Sequence, residues 1–142
     1  MYDLRDLVPL GSAAKVSRTV KESDTATNYS PDLNTLLAPP ACIDMAIQAC
    51  VAAIDTLLPD GFVSVSRNIE FEHMASTLLG VKVTMSAEVV EVQPTYIMVR
   101  LTLTDDIGEI GRGMNRRSIV KSEALMNRAN RRVQMMTNER NM

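Results

Sequence analysis

Three side chains are the first candidates for chemistry: His73, which is the only histidine among 142 residues, and the pair Asp44 and Gln48. An imidazole changes charge near neutral pH and often serves as a general acid or base. Asp44 and Gln48 are four residues apart, which places them on one face of a helix. A carboxylate on an apolar helix is costly unless it is paired, hydrogen-bonded or wet. Two interpretations therefore stay open: Asp44 caps a loop or pairs with an arginine, or it faces a pocket shared with His73.

The helix that would carry Asp44 and Gln48 lies in the segment PPACIDMAIQACVAAIDTLL, residues 39–58. Pro40 suits its first turn, where a missing N–H costs no intrahelical bond. Apolar residues recur at helical spacing and cover almost the whole surface, which is typical of a helix buried on all sides. The length approaches that of a membrane span, but Asp44, Gln48 and Asp55 interrupt it and no basic cluster flanks it. We predict the central helix of a soluble core.

Strands are predicted on both sides of this helix. The run from Gly61 to Phe71 alternates apolar and polar residues and leads to His73. Similar runs predict strands over residues 13–22, 80–93, 96–105 and 109–120. The alternation slips at Val89-Val90, which predicts a β-bulge, and Asp105–Gly108 predicts a hairpin-type loop. One strand, a long helix and four strands predict an α+β fold, in which a single antiparallel sheet wraps around one helix.

The two ends of the chain and the loop before the helix have their own patterns. Residues 1–12 are predicted as an irregular lead-in and residues 23–38 as a loop. Residues 122–142 are predicted as a C-terminal helix and tail with a thin apolar stripe and four arginines. This helix is interpreted either as a solvated helix docked by one edge or as an anion-facing surface, for instance near a nucleotide phosphate. All of residues 1–142 are assigned to a single domain.

Composition and charge exclude several functions. The formal net charge is −2, which gives no electrostatic case for a nucleic-acid partner. Cys42 and Cys50 are roughly 12 Å apart on the predicted helix, too far for a disulfide, which indicates free thiols in a reducing compartment. The N-terminus lacks a signal-peptide pattern and no segment is assigned to a membrane, so a cytoplasmic location is expected. Neither a metal site nor a cofactor is expected.

Three segments resemble the hotdog-fold thioesterase superfamily, and within it the fluoroacetyl-CoA thioesterase-like group. They are APPACIDMAIQAC at the helix start, FEHMASTLLGVKVTMSAEVVEV around the histidine, and DDIGEIGRGMNRRSIV in the last strand. The similarity runs from about Leu37 to Val133. It implies a hotdog fold, with a long antiparallel β-sheet wrapped around one central helix, and acyl-CoA as the ligand. The open edges of such a sheet also favour pairing with a second copy, so a homodimer is expected.

The resemblance also implies site residues. The group's catalytic histidine falls on His73, its helix glutamate on Ile47 and its threonine on Pro39. Its His-Glu-Arg run in the last strand falls on Asn115-Arg116-Arg117, where only the arginine is kept. Asp44 lies three residues before Ile47 and so nearly on the same helix face. The residues expected to contact the substrate are Pro39, Ala41, Cys42, Ile47, Asn115 and Arg117.

The first hypothesis is an acyl-CoA thioesterase, a hydrolase that acts on a small or medium acyl group. Asp44 would take a proton from water, Gln48 would orient it, and His73 would polarise the site. Backbone N–H groups of Ala41 and Cys42, at the helix start, would stabilise the oxygen on which charge develops.

Two other functions stay open beside hydrolysis. The alternative is a non-hydrolytic hotdog protein that binds acyl-CoA or a related ligand, because Pro39 and Ile47 carry no catalytic group. A purely structural dimer is the third. The identity of the acyl group and any pairing of dimers into tetramers are left open.

Overall fold

A five-stranded antiparallel sheet forms the body of the protein, as the alternating runs predict. The structure is a computed structural model that describes residues 3–141. Its strands are β1 Ala13–Thr19, β2 Phe62–His73, β3 Lys82–Val92, β4 Tyr96–Thr104 and β5 Glu109–Lys121. Their spatial order is β1-β3-β4-β5-β2, so β1 and β2 are the two edges of the sheet.

The predicted central helix is confirmed. The α-helices are α1 Leu4–Leu7, α2 Pro39–Ile54 and α3 Ser122–Arg140. The central helix α2 packs mainly against β1 and β3. Its buried side consists mostly of small residues, which let it lie close to the strands: Ala41, Cys42, Met45, Ala46, Ala49, Cys50, Ala53 and Ile54. Apolar residues of β3 and β4 complete the core: Val83, Met85, Ala87, Val89, Ile97, Val99, Leu101 and Leu103.

The other side of α2 is open, which differs from the predicted burial on all sides. Ile47 is 39% exposed, and Gln48 is exposed as well. The Asp44 side chain is also accessible. The difference arises because one sheet covers only one side of a helix. Apolar surface left open on a core helix indicates a place for a partner or a ligand.

Two irregularities shape the strands. The β-bulge predicted at Val89-Val90 is confirmed, since the register between β3 and β4 shifts between Val89 and Glu91. A second shift, which the sequence analysis missed, lies in the edge strand β2 between Ser66 and Asn68. A bulge in an edge strand leaves one residue out of the ladder and turns the strand locally.

The N-terminal lead-in and the loop before α2 are more ordered than predicted. The lead-in includes α1, and Leu4 and Val8 are buried in the core. The loop over residues 23–38 contains short 3₁₀ turns and is tied to the rest by bridges that pair residue 25 with 37 and residue 36 with 78. Residues 1, 2 and 142, which belong to the predicted lead-in and tail, lie outside the described residues.

Within residues 3–141, one helical segment is long and apolar enough to cross a membrane. It is Pro39–Leu57, which comprises α2 and the turn after it. Its packing against β1 and β3 explains this result, because a core helix must be apolar where it meets the sheet.

Candidate active site

His73 is the last residue of β2 and lies opposite Gly111 of β5. Its Nε2 atom is buried and has no hydrogen-bond partner. The ring of Phe71 meets the imidazole edge-on, with 6.5 Å between the ring centroids. Most buried polar atoms are hydrogen-bonded, so an unpaired imidazole nitrogen calls for a partner such as a ligand or a water. The residue singled out by sequence therefore has a free functional atom.

Two glycines of β5 leave room for the ring of Phe71, which packs against His73. A Cβ atom at Gly111 would lie 2.5 Å from Cζ of Phe71, and one at Gly113 would collide with the carbonyl of Glu70. Only glycine therefore fits Gly111 without a shift of the Phe71 ring, and Gly113 without a shift of the β2 backbone. The close approach of β5 fixes the Phe71 ring, and the ring in turn packs against His73.

Asp44 pairs with an arginine, which was the first of the two interpretations. Its Oδ2 accepts hydrogen bonds from Arg18 Nη2 at 2.6 Å and from Gln48 Nε2 at 3.0 Å. Arg18, on β1, also donates to Asp24 at 2.9 Å. Neither a hydrogen bond nor an ion pair joins Asp44 to His73 within residues 3–141 of one protomer. The two candidate residues are thus not brought into contact within a single chain.

The surroundings of Asp44 reduce its strength as a base. The hydrogen bond from Arg18 is the main cause that lowers the pKa of the Asp44 carboxyl below 3.8. A base with a lower pKa has less tendency to take a proton from water near neutral pH. The Asp44 side chain is also 56% exposed, so its ion pair is well solvated.

The start of α2 offers fewer backbone donors than expected. Pro39 and Pro40 have no N–H group, and the N–H of Ala41 donates to the carbonyl of Ala38 at 3.1 Å. One of the two predicted oxyanion donors is therefore already engaged. Cys42 is fully buried, and burial raises the pKa of its thiol to about 11, which agrees with an inert residue.

Asn115 and Arg117 belong to a buried hydrogen-bond network between β5 and β2. Arg117 is 2% exposed, and its Nε and Nη2 donate to the hydroxyl and carbonyl oxygens of Ser64, both at 2.9 Å. Its Nη1 donates to Asn115 Oδ1 at 3.1 Å. Asn115 Nδ2 donates to Ser66 Oγ at 2.7 Å and to the carbonyl of Asn68 at 2.9 Å. The network therefore bonds both sides of the bulge in β2.

The carboxylate of Asp55 closes this network at the end of α2. Ser64 Oγ donates to Asp55 Oδ1 at 2.5 Å. Burial is the main cause that lowers the pKa of the Arg117 guanidinium, while the charge of Asp55 opposes the shift. Ser64 and Arg18 could not be singled out from the sequence, because their partners lie on other elements and no spacing along the chain connects them.

Two of the four predicted substrate contacts on α2 lie on its open side. Pro39, in the first turn, and Ile47, about two turns further along, are both exposed. Ala41 and Cys42 are instead buried against the sheet. Pro39 and Ile47 present apolar surface, so any ligand there would meet hydrocarbon groups.

The sequence and the fold both resemble those of known proteins. Residues 20–123 match the family model described as fluoroacetyl-CoA-specific thioesterase. A hot-dog-like protein from Thermanaerovibrio acidaminovorans is 30% identical, with 92% of this chain and 97% of that chain covered and a TM-score of 0.87. No curated protein gave a match.

Two further solved structures share the fold. A fluoroacetyl-CoA thioesterase is 24% identical, with 87% of this chain and 96% of that chain covered and a TM-score of 0.77. A Thermus thermophilus hypothetical protein, a thioesterase superfamily member, is 22% identical, with coverages of 90% and 97% and a TM-score of 0.80. The hotdog fold that the sequence implied is thus confirmed.

Proposed function

This chain belongs to the fluoroacetyl-CoA-specific thioesterase family, and we propose that it hydrolyses the thioester of a small or medium acyl-CoA with His73 at the centre of its chemistry. The observation that carries the proposal is the buried Nε2 of His73, which has no hydrogen-bond partner. An imidazole held at a sheet end with one free nitrogen can exchange a proton with water or with a leaving group.

In the proposed reaction, Nε2 of His73 carries a proton from water to the leaving group. Water adds to the carbonyl carbon of the thioester while its proton passes to Nε2 of His73. The carbon–sulfur bond then breaks, and the same proton passes to the sulfur of coenzyme A. The products are a carboxylic acid and free coenzyme A, so no other reactant is needed.

Asp44 and Gln48 receive supporting roles in this proposal. The ion pair with Arg18 lowers the pKa of Asp44, which favours His73 as the proton acceptor. The bond of Asp44 to Arg18 ties α2 to β1, and the bond from Gln48 orients the Asp44 carboxylate within α2. Proton transfer by Asp44 remains the competing assignment, since this residue is the only carboxylate within α2.

The substrate assignment rests on the apolar surface at the start of α2. Pro39 and Ile47 would contact the acyl group, and Cys42 would offer its backbone N–H. Asn115 and Arg117, which were expected to contact the substrate, are buried and bonded to the edge strand β2, so we assign them to holding that strand. A threonine-to-serine mutant of a related fluoroacetyl-CoA thioesterase was solved in complex with acetyl-CoA, which supports acyl-CoA as the ligand class here.

A homodimer is part of the proposal. The edge strand β2 is 12 residues long and pairs on one side only, with β5. Ile47 on α2 and Leu78 and Leu79 in the loop after β2 leave apolar surface exposed. Unpaired edges and exposed apolar patches both favour association with a second copy. The cytoplasmic location also remains a prediction.

Release of free thiol from a panel of short, medium and aryl acyl-CoAs tests the proposal. We expect turnover of at least one member, at a rate above that of buffer alone. Absence of turnover with the whole panel would overturn hydrolysis and favour the non-hydrolytic alternative. In that case, an increase in melting temperature with acyl-CoA would show binding without hydrolysis.

A further inference from the structure

The C-terminal helix α3 has an apolar face that nothing in the described protomer covers. None of its 19 residues is buried. Met126, Val133 and Met136 are 58%, 60% and 49% exposed, and they lie at helical spacing on one face with Leu125 and Ala129. In proteins, most of the stability of a helix comes from packing of its apolar face against other elements. The helix therefore presents a docking face.

A second uncovered apolar surface follows the candidate active-site histidine. Met74, Leu78 and Leu79 are 44%, 50% and 47% exposed. The loop that carries them is held in place, because the N–H of Leu79 donates to the carbonyl of Thr35 at 2.8 Å. We call residues 74–79 the histidine loop. It is a fixed apolar surface and needs little ordering to accept a partner.

The topology places these two surfaces at opposite ends of the same edge strand. The first residue of α3 is anchored beside the start of β2, since the N–H of Ser122 donates to the carbonyl of Gly61 at 2.9 Å. The histidine loop follows the last residue of β2. When two such strands pair antiparallel about a two-fold axis, the start of one lies beside the end of the other. Each α3 then begins beside the histidine loop of the other copy.

We propose that α3 of one protomer packs its apolar face on the histidine loop of a second copy, and so forms one wall of the partner's candidate active site. The proposal rests on the homodimer described under the proposed function. The surface that covers the apolar face of α3 thus belongs to a second copy of the same chain. Each site is then complete only in the dimer, because the helix that borders it comes from the other subunit.

Charge complementarity supports this occupant. α3 carries four arginines and two glutamates, while residues 1–121 carry eleven basic and fifteen acidic residues. Arg128 and Arg132 flank the apolar face of α3 by helical spacing. Glu70 and Glu72 are charged residues at the end of β2, just before the histidine loop. The Glu72 side chain is 68% exposed and makes a long contact of 3.9 Å with Arg112 of its own protomer. The two arginines would thus approach the two glutamates of the partner, an arrangement that also favours encounter of the two copies.

Site-directed disulfide formation tests the proposal. Leu78→Cys is combined in turn with Met126→Cys, Val133→Cys or Met136→Cys in the full chain. The matched control combines Leu78→Cys with Asn127→Cys, because Asn127 is exposed but lies on the opposite face of α3. The natural cysteines do not interfere, since Cys42 and Cys50 are both buried.

We expect a disulfide-linked dimer from at least one of the three pairs, with a yield at least tenfold above the Asn127 control. Sedimentation measured on the same samples separates two kinds of failure. A dimer without selective crosslinks would overturn the docking of α3 and leave the homodimer intact. A monomer would overturn both. Equal crosslinking by the control would also overturn the proposal, because the helix would then have no preferred face.

Discussion

Two arginines organise the two polar regions of this protein, and their surroundings differ in almost every respect. Arg117 is 2% exposed and donates to uncharged oxygens of Ser64 and Asn115. The side chain of Arg18 is 19% exposed and forms ion pairs with two carboxylates, Asp24 and Asp44. The fully buried arginine thus has neutral partners, and the partly exposed one has charged partners, of which Asp24 is buried and Asp44 is exposed.

This difference separates structural from adjustable polar groups. A buried guanidinium cannot regain water when a partner is lost, so each broken bond exposes the full cost of desolvation. The ion pair between Arg18 and Asp44 has an exposed carboxylate, so Asp44 can exchange its partner for water and loses little. The Arg117 network therefore fixes the edge strand that carries His73, whereas the exposed Asp44 contributes little to stability at the start of α2.

The largest expected effect comes from Arg117→Ala. The change leaves Asn115 Oδ1 and the Ser64 carbonyl without their donor and opens a cavity, so the free energy of unfolding should fall by about 3–5 kcal/mol. Urea denaturation measures it, with Asp44→Ala as the control, because that change removes only the exposed partner of Arg18 and should cost less than about 1 kcal/mol. Equal losses in the two variants would remove the contrast between the regions.

Gly111→Ala is expected to have an intermediate effect. The new Cβ would meet the Phe71 ring at 2.5 Å, so the ring must move and the free energy of unfolding should fall by about 1–3 kcal/mol. Because Phe71 packs against His73, kcat should fall as well. Ser118→Ala, in the same strand, serves as the control and should leave both quantities nearly unchanged. A stable Gly111→Ala variant with unaltered kcat would show that the ring does not position the histidine.

The smallest effect is expected from Asp44→Asn, and it should depend on pH. The folded state lowers the pKa of Asp44 below 3.8, so its ion pair stabilises the protein at higher pH and is lost as the pH falls through the folded-state pKa. At pH 7 the variant should be less stable by about 0.2–1 kcal/mol. This difference should narrow as the pH falls below 3.8. A constant difference across that range would mean that the carboxylate charge is not responsible.

The contrast also explains what the sequence could reveal. The central helix, the strands and the bulge at Val89-Val90 follow from local periodicity, which short segments determine by themselves. The bulge between Ser66 and Asn68 lies in a polar stretch without apolar alternation, so no phase slip marks it. The open side of α2 could not be predicted either, because an apolar surface looks the same whether a sheet or a second chain covers it.

The candidate site shows the same division between local and distant information. His73 could be singled out as the only histidine and by resemblance, and its free Nε2 fits the expectation of a functional group. The network of Arg117 depends on the antiparallel register that sets β5 beside β2, with Ser64 53 residues away along the chain. The pairing of Asp44 with Arg18 was one of two open interpretations, and only the position of β1 beside α2 decides between them.

Single-turnover release of coenzyme A by His73→Gln and Asp44→Asn, measured beside the unaltered protein, tests the central claim most directly. Glutamine keeps the polarity of the side chain but cannot exchange a proton near neutral pH. We predict that His73→Gln lowers the rate by about 10²–10⁴-fold, while Asp44→Asn changes it less than about tenfold. A His73→Gln variant that retains the rate, or an Asp44→Asn variant that loses it instead, would contradict the assignment of proton transfer to His73.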